Sequence, residues 1–301
     1  PASLDNFEKE TNIRIVHEVF TNSSETKDLL VQGSDKYDVM VQAGAQMRQI
    51  LDEKNTVETL DRAKIPNAEF LDPAALTYTD VLDPNNSHSV PYMWGTVGLG
   101  VNKEKVRAIR PDVPLNTMGL ILDPAIAADV SKCGIALIDE PIDVIPAFVT
   151  YLGGDMKNIG ITDLEAVEDA LSKVSDYIKV VSVDSYINSL SEGKYCVVWG
   201  YSGAIFYARD LAKANGKGTI VYNVPKEGSQ LWFDLFVIPN KSQNKDGAYQ
   251  LLNYMLKPEV AAANTNFLQY ANPILTSAPY IEPKLLSDPG LYPPKSVLKR
   301  L

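Results

Sequence analysis

The chain has 301 residues, 45% hydrophobic and 22% charged, the usual balance of a globular protein long enough for one large domain or two lobes. A net charge of −10 argues against nucleic acid or an anionic membrane as the main partner, since both need a basic face. No apolar run approaches the roughly 20 residues of a membrane span, and no signal-peptide pattern is present.

The chain opens inside a helical pattern carried by Leu4, Phe7 and Ile13. Asn12–Phe20 then alternates like a half-buried strand, and the polar segment Asn22–Gln32 is helical in character. Asp38–Gln42 is a short β-rich run, and Gln46–Lys54 reads as a helix. Ser89–Asn102 alternates glycine with β-branched residues in an extended pattern, and Ile135–Ile138 is an apolar strand. Thr162 and Glu165 form a capping box, after which Leu164, Val167, Leu171, Val174 and Ile178 recur at helical spacing. Further helices are expected over Ala204–Asn215, ended by Gly216, and over Asp246–Lys257, ended before Pro258. The end, Ser296–Leu301, looks like a helix cut short. Strand and helix in alternation imply α/β layers with largely parallel sheets.

Metal chemistry finds little support. His17 and His88 are far apart, and neither has a second ligand three or four residues on. Gly216-Lys217-Gly218-Thr219 lacks the glycine spacing of a phosphate loop and follows a helix rather than a strand. Gly200-Tyr201-Ser202-Gly203-Ala204 sits between strand and helix as a nucleophile elbow would, but Ala204 replaces the last glycine and both histidines precede Ser202. A serine hydrolase using Ser202 is therefore a remote alternative, against a plain tight turn of small residues.

Trp232-Phe233-Asp234 carries more. An indole and a carboxylate two residues apart on a strand share a face. Together they suit an organic ammonium, the carboxylate taking the N–H bonds and the ring the apolar flank. Asp139-Glu140-Pro141-Ile142-Asp143 follows the strand Ile135–Ile138, where open α/β sheets bind ligands. Those acids also open the next helix, where negative charge favours the dipole, and that role alone would account for them. Cys133 and Cys196 lie at apolar segments and are compatible with a bridge or with two buried thiols.

Val90–Thr96, Leu137–Pro141, Tyr151-Leu152-Gly153, Pro225–Gly228, Trp232–Asp234, Ala248–Tyr254 and Tyr292-Pro293-Pro294, in this order, resemble the periplasmic polyamine-binding proteins of bacterial ABC transporters, the putrescine and spermidine receptors above all. The resemblance implies a two-lobed α/β periplasmic-binding-protein fold with a ligand cleft and crossing strands at the hinge, Ser89–Asn102 and Trp232–Ile238. It implies discontinuous lobes, 1–102 plus 235–280 and 103–234 plus 281–301, with an N-terminal strand and a C-terminal helix outside this sequence.

By the same resemblance Asp234 holds one ammonium and Trp232 packs on the methylene chain. Asp143, with Glu140, meets the distal amine, and Tyr270 lines the cleft. Tyr201 stands where the family usually has Trp, Ala43 where it usually has Ser, and Ala204 where a polar residue is common. The family's cysteines at Cys133 and Cys196 can form a bridge. The expected protein is a periplasmic receptor, not an enzyme, with no cofactor or metal. It would be a monomer that binds a linear diamine or polyamine and delivers it to a membrane permease. The altered positions leave another organic cation or an amino acid-like amine as the alternative ligand.

Overall fold

The computed structural model describes residues 2–20 and 23–301. Its strands, in chain order, are β1 (Met40–Ala43), β2 (Ser89–Asn102), β3 (Ile135–Ile138), β4 (Ile178–Val181), β5 (Val197–Tyr201), β6 (Ile220–Asn223) and β7 (Leu231–Val237). The chain divides into two compact units, Pro1–Trp94 with Trp232–Leu286 and Gly95–Leu231 with Ser287–Leu301. Both β2 and β7 run through a unit boundary. Trp232 and Asp234, which the expected bounds assign to the second lobe, therefore fall in the first unit.

In the first unit β1 pairs antiparallel with β7, in a register that sets Met40 opposite Val237 and Ala43 opposite Asp234. Phe7, Leu60, Ile65, Val90, Phe236, Ile238, Leu252 and Met255 form its core. The helix Lys245–Met255 starts where the Asn244 side chain accepts from the Gly247 N–H. Pro258 ends the expected helix and opens another, Pro258–Leu268, as proline suits a first helical turn. Asp83, wholly buried, accepts from the His88 N–H and the Ser89 hydroxyl and so pins the start of β2.

Asn12–Phe20 is not a strand. Ile13 and Ile15 pack partly buried against the core, but Val16 and Val19 are 84% and 76% exposed. The side carrying Ile13 and Ile15 thus meets the core only at its start and has left it by Val19, and the segment joins no ladder among the described residues. The polar segment after it is helical over Ser23–Val31, and Asn22 lies outside the described residues. The expected helix Gln46–Lys54 is shorter, Met47–Asp52, behind a 3₁₀ turn at Gly44–Gln46.

The second unit carries a sheet in the order β6–β2–β5–β3–β4. β3 runs parallel to β4 and β5, whereas β2 is antiparallel to β5 and β6. The sheet is therefore mixed rather than largely parallel, because the long strand β2 runs against the helix-connected strands. The helix expected from Thr162 begins at Ile161, and its cap is Gly160, whose N–H donates to the Asp163 carboxylate at 2.8 Å. It stops at Ser172, and Ile178, which continues the helical spacing in sequence, is the first residue of β4. Val174 leaves helical geometry, and a 3₁₀ turn at Ser175–Tyr177 intervenes. Cys133 and Cys196, at the starts of neighbouring strands β3 and β5, are bridged with Cα atoms 5.5 Å apart. Among the described residues no helix is long and apolar enough to cross a membrane.

Candidate functional site

In the first unit, β7 alternates Phe233, buried, with Trp232 and Asp234, half-buried on the opposite face. The Phe233 ring lies 6.2 Å from Tyr78 and 6.4 Å from Trp94, centroid to centroid. That packing fixes the strand's rotation and hence the direction of Trp232 and Asp234. The ring of Tyr270 meets Trp232 edge-on at 5.0 Å.

Tyr270 is held by its neighbours. The helix Pro258–Leu268 ends with Gln269 in the left-handed conformation at φ 58°. The chain then runs beside β2, the Trp94 N–H donating to the Ala271 carbonyl at 2.9 Å and the Trp94 indole to that of Asn272 at 3.3 Å. Asn272 is itself buried, bonded to Thr265, Ser277 and the Ile274 N–H. Burial, and secondarily the charge of Asp234, push the Tyr92 phenol well above its usual range.

In the second unit β3 and β5 are parallel, so their C-terminal ends, at Ile138 and Tyr201, share one edge of the sheet. The acidic run after β3 opens the helix Pro141–Tyr151, with Glu140 before it and Asp143 in its first turn. The Tyr201 hydroxyl donates to Oδ2 of Asp143 at 2.7 Å. Trp199, two residues back on β5 and wholly buried, donates its indole N–H to the Asp143 carbonyl at 2.9 Å. The Tyr201 N–H in turn donates to the buried Tyr186 phenol at 3.2 Å.

Burial pushes the Asp143 carboxyl up, and the Tyr201 bond opposes that shift. Glu140 is raised by burial and then by the like charges of Asp143 and Asp139. Tyr201 is raised by burial and then by Asp143. This edge therefore concentrates negative charge that burial makes costly.

The chemistry available is binding by charge and π surface. Among the described residues the buried Ser202 hydroxyl has no hydrogen-bond partner, a base included, and His88 is engaged with Asp83, Ser87 and Thr59. Among the described residues no group of three His, Cys, Asp or Glu side chains could hold a metal ion.

The description "Bacterial extracellular solute-binding protein" matches residues 2–293. The chain belongs to this family. It is 34% identical over 303 residues to the putrescine-binding periplasmic protein SpuD of Pseudomonas aeruginosa, covering 100% of this chain and 82% of SpuD. It is also 34% identical over 304 residues to the putrescine-binding periplasmic protein PotF of Escherichia coli, with the same coverage. Among solved structures, the spermidine/putrescine ABC transporter substrate-binding protein PotD of Streptococcus pneumoniae superposes with a TM-score of 0.80 at 28% identity, covering 100% of this chain and 88% of that one.

The family makes this solute-binding protein an extracytoplasmic receptor rather than an enzyme, and the hydrolase reading of Ser202 falls. Trp232, Asp234 and Tyr270 come together in its first unit, and Glu140, Asp143 and Tyr201 in its second. Trp199 and Tyr186, which hold the Asp143–Tyr201 pair, were not expected from sequence. The signal for Trp199 was present as its i, i+2 spacing to Tyr201 on a strand.

Proposed function

We propose that the chain is the periplasmic receptor of an ABC transporter for a linear diamine or polyamine, working as a monomer and without a cofactor alongside a membrane permease. Asp234 takes one ammonium group, while Trp232 and Tyr270 lie along the methylenes. Asp143, assisted by Glu140, takes the other amine, and the Tyr201 ring supplies π surface. The observation that carries this reading is the repeated pairing of a carboxylate with an aromatic ring. Asp234 lies on the strand face of Trp232, and Asp143 accepts from Tyr201. The two putrescine-binding relatives, alike over the whole chain, support the ligand class. Charge supplies selectivity, since a buried carboxylate left unpaired penalises a ligand lacking the matching amine.

Titration calorimetry of ligand-stripped protein with putrescine, cadaverine, spermidine and spermine tests the reading. Micromolar or tighter binding of one of them is expected, and Asp234→Ala weakens it by at least about 2 kcal/mol, the scale for truncating one partner of a buried charge pair. Unchanged affinity in that variant removes Asp234 from the site.

A second reading keeps the receptor and changes the ligand to another organic cation or an amino acid-like amine. It is favoured by Ala204, buried in the first turn of the helix Ser202–Ala214, a turn that carries no acid. Silence across the polyamine panel with binding of an amino acid-like amine would decide for it.

A further inference from the structure

Residue 143 is gripped twice by one face of one strand. Trp199 and Tyr201 alternate with Gly200 on β5, so their side chains share a face. The first binds the Asp143 carbonyl oxygen and the second its carboxylate. Tyr201 is held in turn through its own N–H by the phenol of Tyr186 on the helix Val183–Ser191. Both donors to residue 143 are neutral. A Lys or Arg in their place would cancel the carboxylate's charge, whereas a phenol fixes one oxygen and leaves the charge in being. Among the described residues, Glu140 and the Tyr186 phenol act on Tyr201, and Asp143 and Asp139 add negative charge beside Glu140. The hydrogen bonds among the described residues occupy Oδ2 of Asp143 and leave Oδ1 open.

We propose that Tyr201 is a positioning residue of the ligand site, its phenol fixing Oδ2 of Asp143 and leaving Oδ1 to the cationic group of the ligand. The arrangement rests on the reading of Asp143 as a ligand contact. The ligand then meets a carboxylate whose rotamer is already chosen, so less side-chain entropy is lost on binding. The same bond counteracts burial, which otherwise favours the neutral acid that cannot hold an ammonium. Tyr201 thus sets the lower pH limit of binding as well as its strength.

The test compares the full chain with Tyr201→Phe, Asp143→Asn and the double variant, using putrescine as the probe. Two readouts are taken: the Asp143 carboxyl titration by NMR in the ligand-free protein, and the pH profile of putrescine affinity. Tyr201→Phe keeps the ring and is expected to raise the Asp143 pKa. It should weaken putrescine at neutral pH by about tenfold or more, the scale of a hydrogen bond to a charged group, and move the acid limb of the binding profile to higher pH. In the Asp143→Asn background the same change should cost little further, because the carboxylate charge that the phenol sustains is gone. Tyr201→Phe that titrates and binds like the parent overturns the proposal. Asp143→Asn that binds putrescine like the parent overturns the ligand-contact reading beneath it, while the NMR titration still reports whether Tyr201 acts on Asp143.

Discussion

The indole of Trp232 meets the ring of Tyr270 edge-on, centroids 5.0 Å apart and planes at 78°. The two come from segments far apart in sequence, β7 and the turn after the helix Pro258–Leu268. An edge-to-face pair of this kind contributes about 0.5–1.5 kcal/mol beyond area burial. Tyr270→Ala is expected to weaken diamine binding about three- to tenfold, on that energy scale, while Tyr270→Phe stays close to the parent. Calorimetry on both variants checks this; equal losses would assign the effect to the hydroxyl instead.

Asp143 and Glu140 give the unliganded protein a pH dependence whose sign is fixed. Both carboxyls are raised in the folded state, chiefly by burial. Between the unfolded and the folded pKa the folded protein binds more protons, so stability falls as pH rises through that window. Below the unfolded value, about 4 for these groups, both states are protonated and the difference vanishes. Asp143→Asn keeps an acceptor for Tyr201 and removes the buried charge. It should raise the melting temperature by a few degrees at neutral pH and have no effect under strongly acid conditions, while impairing putrescine binding. Thermal melts of ligand-free protein across pH measure it, and a lower melting temperature at neutral pH would contradict the argument.

The parts of this architecture legible in sequence are those carried by short-range pattern. The extended run Ser89–Asn102 is β2 over the same residues, because its glycines and β-branched residues leave no helical alternative. Ile178 misled because a helical spacing can continue through a helix stop into the next strand, and only the turn at Ser175–Tyr177 separates them. Asn12–Phe20 misled because alternation reports burial on one side and not a hydrogen-bonded neighbour. The Trp232–Asp234 pairing could be read from strand period, but the Asp143–Tyr201 bond could not. It depends on β3 and β5 being parallel neighbours, a long-range fact that neither segment encodes alone.

Gly200 is required by packing rather than by a turn. A Cβ there would lie 2.7 Å from Cζ of Tyr186 and 2.8 Å from its hydroxyl. Tyr186 is wholly buried and cannot step aside cheaply, and its phenol accepts the Tyr201 N–H. Gly200→Ala is expected to cost about 1–3 kcal/mol by overpacking, and it should loosen Tyr201 and so reduce putrescine affinity. Denaturant unfolding and calorimetry together check both effects. A variant as stable as the parent would mean the ring has room that the structure does not show.

The bridge between Cys133 and Cys196 closes a loop with a sequence separation of 63. Within that loop lie β3, β4 and the helix carrying Asp143, while β5 with Tyr201 begins just past its end. Restricting the unfolded chain over such a loop contributes roughly 4 kcal/mol on the chain-entropy account. The double variant Cys133→Ser, Cys196→Ser should lose stability on that scale in denaturant melts. Because both cysteines sit in the second unit, the loss should appear first in probes of that unit, such as the fluorescence of Trp199. Putrescine affinity measured below the unfolding transition should change little, since among the described residues the two sulfurs contact the backbone carbonyls of Val130 and Gly134 and not a carboxylate. A large affinity loss in a folded variant would show that the bridge sets the register of β3 on β5, and with it the meeting of Asp143 and Tyr201.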